Sequence, residues 1–191
     1  LMIYAANCSI RGLGVVNSPW VGLAMLLPQA TANTVTDCWC GVSADGETAS
    51  PNAKQGIQIS EGANGNTIGP GNVLSGNSEY GIWISGEETD GNVVTGSFIG
   101  TNADGSAALP NQAGGVIVTD GADDTMIDGG NTISGNNNAF NNGAGVWLTG
   151  PGVTNNIVRG NRIGTDASGL HALPNGASGV SAMPSGCSAS W

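Results

Sequence analysis

The sequence predicts an all-β fold, a right-handed single-stranded parallel β-helix (a solenoid) of about six coils with alternating long and short turns. Three observations predict it. One 28-residue pattern occurs three times without gaps, over residues 33–60, 92–119 and 156–183. Apolar residues with a period of two follow regularly spaced glycines. Charged residues are only 9% of the chain, whereas 33 of its residues are Gly, a composition that favours frequent turns over long helices.

The spacing of the glycines sets the length of each coil. A glycine opens each apolar triplet, at Gly22, Gly56, Gly81, Gly115, Gly145 and Gly179. Successive positions are 34, 25, 34, 30 and 34 residues apart, so long and short turns alternate. The interval of 30 matches a short turn with an insertion of five residues around 137–142. Alternating apolar residues follow each glycine, as at Ile57 and Ile59, and predict a half-buried strand.

A second strand follows in each repeat. It begins with the pattern N-x-(V/I/L), as in residues 72–74 and 131–133, and it ends at Gly, Asn or Pro. Strands so widely separated cannot close as hairpins, but they can stack with their equivalents about 4.8 Å away. The rule for parallel crossovers favours the right-handed form. We expect asparagines at equivalent turns to hydrogen-bond one another, and glycines to stand where a Cβ would clash or where φ is positive.

The best copy of the repeat is NIVRGNRIGTDASGLHALPN, over residues 156–175. It resembles the repeat of the right-handed parallel β-helix repeat proteins, which are bacterial exported and surface proteins, and the resemblance extends over nearly the whole chain. It implies the architecture and an extracellular or cell-surface location. The wider superfamily includes pectate-lyase-like enzymes, adhesins and passive scaffolds, so the resemblance does not choose between functions.

We expect one β-helix domain over residues 1–191, with a degenerate first coil over 1–21 and an open partial coil over 180–191. Neither end resembles a polar cap. Joining Trp191 to Leu1 of a second copy would place Gly179 and the next Gly22 34 residues apart, the length of a long coil. The leading hypothesis is therefore an exported, non-enzymatic structural protein that assembles head-to-tail into an extracellular fibre or surface layer. A fragment of a longer β-helix would show the same features.

The charge balance narrows the partners. Four Lys and Arg residues against fourteen Asp and Glu give a net charge of -10, which argues against nucleic acid and against anionic membrane surfaces. No apolar run is long enough to cross a membrane, so no membrane insertion is expected. A second copy of the chain and neutral glycans remain as candidate partners.

The sequence shows no catalytic constellation. Arg159 and Arg162 fall at variable, outward positions, and the lone His171 lies in a long loop. A Ser-His-Asp, zinc or phosphate-loop pattern is missing from the sequence. A glycan-binding or adhesin module is thus the second hypothesis, and a polysaccharide lyase or hydrolase is the third.

Acidic residues recur at one corner of three successive predicted coils: Glu61, Glu87, Glu88, Asp90, Asp120, Asp123 and Asp124. Stacked like charges repel one another, and a hard cation such as calcium would relieve the repulsion. Calcium is the one candidate cofactor, and the alternative is a solubilising acidic edge. Loops 43–46, 102–105 and 166–169 lack the ligand run of a calcium loop and predict ordinary Asx-type turns.

Trp83, Ile117 and Trp147 lie between the inward residues of three successive strands. Their period predicts a contiguous apolar stripe on the outer face. Three interpretations stay open: contact with a neighbouring protomer, stacking on sugar rings, or cover by extended loops of the same chain.

The four cysteines are Cys8, Cys38, Cys40 and Cys187. Cys187 follows the last repeat, on the order of 24 Å from the others at strand spacing, too far for an internal disulfide. A bridge from Cys8 to Cys38 or Cys40 remains open, as do buried free thiols and a link between protomers through Cys187.

Overall fold

The computed structural model describes residues 1–137 and 143–183. These residues form nineteen strands and no helix: β1 Met2–Ile3, β2 Ser9–Arg11, β3 Gly14–Val15, β4 Leu23–Leu26, β5 Thr34–Thr36, β6 Trp39–Cys40, β7 Ile57–Ser60, β8 Thr67–Ile68, β9 Val73–Leu74, β10 Tyr80–Ser85, β11 Val93–Thr95, β12 Phe98–Ile99, β13 Gly114–Thr119, β14 Met126–Asp128, β15 Thr132–Ile133, β16 Val146–Thr149, β17 Ile157–Val158, β18 Arg162–Ile163 and β19 Val180–Met183. The described residues therefore contain no helix that could cross a membrane.

The strands form three sheets in which every pairing is parallel. Sheet A contains β1, β4, β7, β10, β13, β16 and β19, sheet B contains β2, β5, β8, β11, β14 and β17, and sheet C contains β3, β6, β9, β12, β15 and β18. The chain passes through sheets A, B and C in turn and then begins the next coil. The fold is a parallel β-helix of six three-stranded coils followed by the first strand of a seventh, as the sequence predicted.

The prediction of two strands in each repeat was wrong, because the structure has three. The N-x-(V/I/L) pattern begins strands of both sheet B and sheet C: Asn66 precedes β8, and Asn72 precedes β9. Both kinds of strand are only two or three residues long and are separated by a tight turn. The two short strands that follow these asparagines were therefore predicted as a single strand. Residues 1–21 also contribute one strand to each sheet.

The core is a stack of aliphatic side chains along the inside of the coils. Ile57, Ile59, Ile82 and Ile84 of sheet A are fully buried, as is Ile99 of sheet C. Because equivalent strands lie in register, each inward side chain packs on its equivalents above and below. Burial of these columns is the main apolar contribution to stability.

Asparagine ladders hold the corners, as predicted. One ladder joins five consecutive coils, with each amide nitrogen donating to the next amide oxygen at 2.9–3.0 Å, through Asn52, Asn77, Asn111, Asn136 and Asn175. A second links Asn33, Asn66 and Asn92 before sheet B, at 3.0 and 3.2 Å. Buried amides are costly unless bonded, and here each amide satisfies its neighbour.

Loops of the long coils fold back on themselves outside sheet C. Isolated antiparallel bridges close them between Val42 and Ala49, Thr101 and Ala108, and Thr165 and Ala172. The loops also contact one another: the Ala103 amide donates to the Gly46 carbonyl, and the Ala167 amide donates to the Gly105 carbonyl, both at 2.9 Å. They form a continuous ridge beside Trp39 and Phe98, which pack with Val42 and Leu109. Sheet A carries no such ridge among the described residues, and its outer face holds the candidate site.

Candidate functional site

The outward column of sheet A is in the predicted register. Ala24 pairs with Gln58, Gln58 with Trp83, Trp83 with Ile117, and Ile117 with Trp147. Each position is the equivalent of the next, one coil further along the axis. The glycine alignment therefore placed Trp83, Ile117 and Trp147 in adjacent coils correctly.

The exposure expected for the middle residue of this column was wrong. Ile117 is only 4% exposed, and Trp83 and Trp147 are half-buried. Together with Tyr80 and Ala113 they form a small apolar cluster on the outside of sheet A. Tyr80 packs edge-on against Trp83, with ring centroids 5.6 Å apart. Side-chain packing among neighbouring outward positions thus covers Ile117, the middle residue of the predicted stripe.

A groove of about 500 Å³ lies next to this cluster on sheet A. Its lining is mixed aromatic and polar: Trp20, Lys54, Gln55, Gln58, Glu79, Tyr80, Trp83, Ser85 and Ala113. Concave sites lined by aromatic side chains with a few placed polar groups are typical of small-molecule binding. This groove is the candidate functional site.

One side of the groove is a column of residues that precede the sheet A strands. Backbone hydrogen bonds define it: the Lys54 amide donates to the Trp20 carbonyl, the Glu79 amide to the Lys54 carbonyl, and the Ala113 amide to the Glu79 carbonyl, at 2.9–3.2 Å. The other side comes from Gln58 on β7 and Trp83 on β10. Both sides follow the sequence of coils, so the groove runs parallel to the β-helix axis.

The charges within the groove are balanced. The Lys54 ammonium lies 3.0 Å from Oε1 of Glu79, and the side-chain amide of Gln55 donates to Oε2 at 2.8 Å. The Lys54 and Glu79 side chains are 45% and 26% exposed, so the pair is at the edge of solvent. Gln55 is 4% exposed, and its Oε1 is a buried acceptor with no hydrogen-bond partner. The pair holds Gln55 in place with this acceptor unsatisfied.

The sequence interpretation found Trp83 but missed the rest of the groove. Trp20, Lys54 and Glu79 each stand two residues before an opening glycine, at Gly22, Gly56 and Gly81. Extending the alignment upstream of these glycines would have placed the three in one column. Trp147, the other predicted tryptophan, lies two coils beyond Trp83 and does not line the groove.

The acidic corner adopts a turn at the end of sheet A. Glu61, Glu88, Asp120 and Asp124 have positive φ values of 47–61°, a conformation that the two aspartates tolerate more readily than the glutamates. The Asp123 amide donates to Asp90 at 3.3 Å. Burial, together with the neighbouring carboxylate of Asp123, raises the pKa of Asp90. Among the described residues no three His, Cys, Asp or Glu side chains are grouped as metal ligands, and calcium binding here stays a prediction.

The three long loops are Asx-type turns, as predicted. The Asp45 carboxylate accepts the Glu47 and Thr48 amides at 2.8 and 3.0 Å, and these bonds keep its pKa well below the usual range. In the third loop the Ser168 hydroxyl and His171 Nδ1 bond opposite oxygens of Asp166, at 2.6 and 2.7 Å. Ser168 contacts the carboxylate and not the imidazole, so the three side chains cap a turn.

Cys8, Cys38 and Cys40 are free thiols, so of the alternatives left open for the first coils the structure has free cysteines and no bridge. The Cys8 amide bonds Asn33 and the Cys38 amide bonds Asn72, so the two cysteines lie at different turns. Strand β5 separates those turns. Burial raises the pKa of the Cys40 thiol to about 12. Cys187 lies outside the described residues.

The fold and groove define the chain as a parallel β-helix protein with an aromatic-polar groove on sheet A. Comparisons with protein-family models, with curated proteins and with solved structures gave no match.

Proposed function

We propose that the protein is a non-enzymatic glycan-binding module, exported to act outside the cell, and that the groove on sheet A holds the sugar. The observation that carries the proposal is the combination of Trp20, Tyr80 and Trp83 with the polar side chains of the same groove. This combination matches a pyranose ring, which has an apolar face of C–H groups and hydroxyl groups around its edge.

The aromatic side chains supply the apolar contact. Tyr80 fixes the Trp83 ring from its edge, so little conformational entropy is lost when a sugar stacks on it. Trp20 and Trp83 are both half-buried, which leaves part of each side chain accessible. Large rigid aromatics of this kind dominate the energy of binding sites.

The polar side chains supply hydroxyl partners. Lys54 has two ammonium protons beyond the one directed at Glu79. Gln58 donates to Ser60 through its amide nitrogen at 3.0 Å, which leaves its amide oxygen as an acceptor. A site that hydrogen-bonds hydroxyls discriminates against ligands that lack them.

The test is affinity measurement on a panel of immobilised and soluble glycans with the wild-type protein and two matched variants. Trp83→Ala removes the stacking surface, and Trp147→Ala is the control, since it removes the same residue type from the same column outside the groove. We expect about a tenfold or greater loss of affinity for Trp83→Ala and little change for Trp147→Ala. Absence of binding across the panel, or equal losses in both variants, would overturn the proposal.

Head-to-tail assembly is the second candidate function, and the exposure of the terminal coils favours it. Large apolar side chains are 38–53% exposed in the first coil, at Leu1, Met2, Tyr4, Leu13 and Val16. The last described coils expose Ile157, Leu170, Val180 and Met183 by 43–82%. A further coil packed on either face would bury these apolar side chains. A second copy or an adjoining part of a longer chain would supply such a coil.

Sedimentation velocity over a range of concentrations, together with electron microscopy, tests the assembly. Growth with concentration into unbranched rods supports a heterologous interface between copies. A monomer at every concentration excludes it and leaves glycan binding unaffected. Gels with and without reductant, with Cys187→Ser as the comparison, show whether a disulfide links the copies.

A further inference from the structure

We infer that the ligand of the groove is a linear, extended and uncharged polysaccharide that lies parallel to the β-helix axis, with one pyranose ring on each coil. This inference rests on the proposed function and specifies its ligand. It follows from the order of the groove side chains along the axis, from the spacing of the coils and from the local charge balance.

The groove presents an aromatic side chain on its first coil, polar side chains on the next, and aromatic side chains beside Glu79 on the last. Trp20 precedes the strand of the second coil, Lys54 and Gln58 belong to the third, and Tyr80 and Trp83 belong to the fourth. The backbone bonds from Lys54 to Trp20 and from Glu79 to Lys54 fix this order. A chain of rings lying along the groove would contact Trp20 on one side at the first coil and Trp83 on the other side at the last, with hydrogen-bonding side chains between them.

The coil spacing suits such a chain. Parallel strands lie about 4.8 Å apart, close to the length that each ring adds to an extended β-(1→4)-linked glycan. From the coil of Trp20 to the coil of Trp83 is two strand spacings, or about 10 Å. Three consecutive rings would therefore meet three consecutive coils, whereas a helical glycan would turn out of the groove.

The charges favour a neutral ligand. Lys54 is the one cation that lines the groove, and Glu79 neutralises it at 3.0 Å. The protein carries a net charge of -10, which repels polyuronates at a distance.

The test is calorimetric titration with oligosaccharide series from monomer to pentamer. The extended neutral series are β-(1→4)-linked oligomers of glucose, mannose, xylose and N-acetylglucosamine. Malto-oligosaccharides are the helical neutral control, and oligogalacturonides are the acidic control. For at least one extended neutral series we expect affinity to rise about tenfold or more from monomer to trimer and then to level off. Malto-oligosaccharides and oligogalacturonides should bind at least about tenfold more weakly.

Two variants locate the chain. Trp20→Ala should move the plateau from trimer to dimer, because it removes the contact on the first of the three coils. Trp147→Ala should leave the plateau unchanged. Saturation at the monosaccharide, or preference for the helical or acidic series, overturns the extended-chain inference but retains glycan binding. Absence of binding to every series overturns the proposed function as well.

Discussion

The ammonium group of Lys54 lies 3.0 Å from a carboxylate oxygen of Glu79 on the next coil, within the groove on sheet A. The pair is partly exposed, so its contribution to the free energy of unfolding is less than about 1 kcal/mol. Its larger consequence is for ligand specificity. Glu79 compensates the charge of Lys54, the only cation of the groove lining, so the groove has no net charge.

Glu79→Gln tests that consequence. The substitution leaves Lys54 unpaired and gives the groove a positive charge, so we expect oligogalacturonide affinity to increase about tenfold. Titration at low ionic strength measures it. The double variant Lys54→Met/Glu79→Gln restores neutrality and should lose the gain. Equal oligogalacturonide affinity in the wild type and Glu79→Gln would show that the pair does not set charge preference.

The acidic corner predicts that replacing Asp90 with a neutral residue stabilises the fold, and that this gain depends on pH. Burial and the nearby Asp123 raise the pKa of Asp90 in the folded state, so deprotonation of Asp90 destabilises the fold as pH rises through that value. Asp90→Asn should therefore raise the free energy of unfolding at pH 7 by less than about 1 kcal/mol. The melting temperature should rise accordingly.

The same variant contains its own control. At a pH below the unfolded-state pKa, Asp90 is protonated in both states, and the gain should vanish. Thermal melts at neutral and strongly acidic pH, repeated with Asp123→Asn and with Asp90→Asn/Asp123→Asn, measure this. If repulsion is the cause, the double variant should gain less than the sum of the single gains. A gain of equal size at both pH values would refute that cause.

The asparagine ladder predicts that replacing one of its asparagines greatly lowers the free energy of unfolding. Asn77 donates to Asn111 and to the Cys40 carbonyl, and it accepts from Asn52. Asn77→Ala leaves buried polar partners unpaired, and we expect a loss of about 3 kcal/mol. Denaturant unfolding measures it, with Asn64→Ala at a partly exposed turn as the control, for which the loss should stay within about 1 kcal/mol. Equal losses of stability in the two variants would contradict a stabilising role of the ladder hydrogen bonds.

The opening glycines predict a steric penalty. A Cβ on Gly81 would lie 2.6 Å from Cγ2 of Ile99 and 3.0 Å from the Gly115 carbonyl oxygen. Gly81→Ala should therefore cost about 1–3 kcal/mol of stability. A Cβ on Gly14 would meet nothing within 4 Å, so Gly14→Ala is the control and should be nearly neutral. Thermal melts of the two variants decide the matter, and similar melting temperatures would contradict the clash.

Much of the fold was readable because a β-helix repeats its constraints along the sequence. The spacing from Gly56 to Gly81 to Gly115 fixed the register of sheet A, and the recurring Asn residues predicted the ladders. Each such position is forced by the same backbone geometry in every coil. The brief strands of sheet B left a weaker signal, because Thr67–Ile68 is too short to display a period.

The candidate site was less readable, because it depends on lateral packing. A period of two predicts that Ile117 points outward, but not that Tyr80 and Trp83 shield it. Trp20 belongs to the groove through a backbone bond to Lys54, 34 residues later. A column of unlike residues such as Trp20, Lys54 and Glu79 has no shared chemistry that a repeat search would detect.

The most direct measurement is the nuclear magnetic resonance signal of each tryptophan indole during titration with an extended neutral glycan trimer. We predict shifts for Trp20 and Trp83, which line the groove, and none for Trp39 and Trp147, which lie outside it. Assignment follows from single Trp→Phe variants. Shifts confined to Trp147, or no shift with any extended neutral trimer, would contradict glycan binding in the groove.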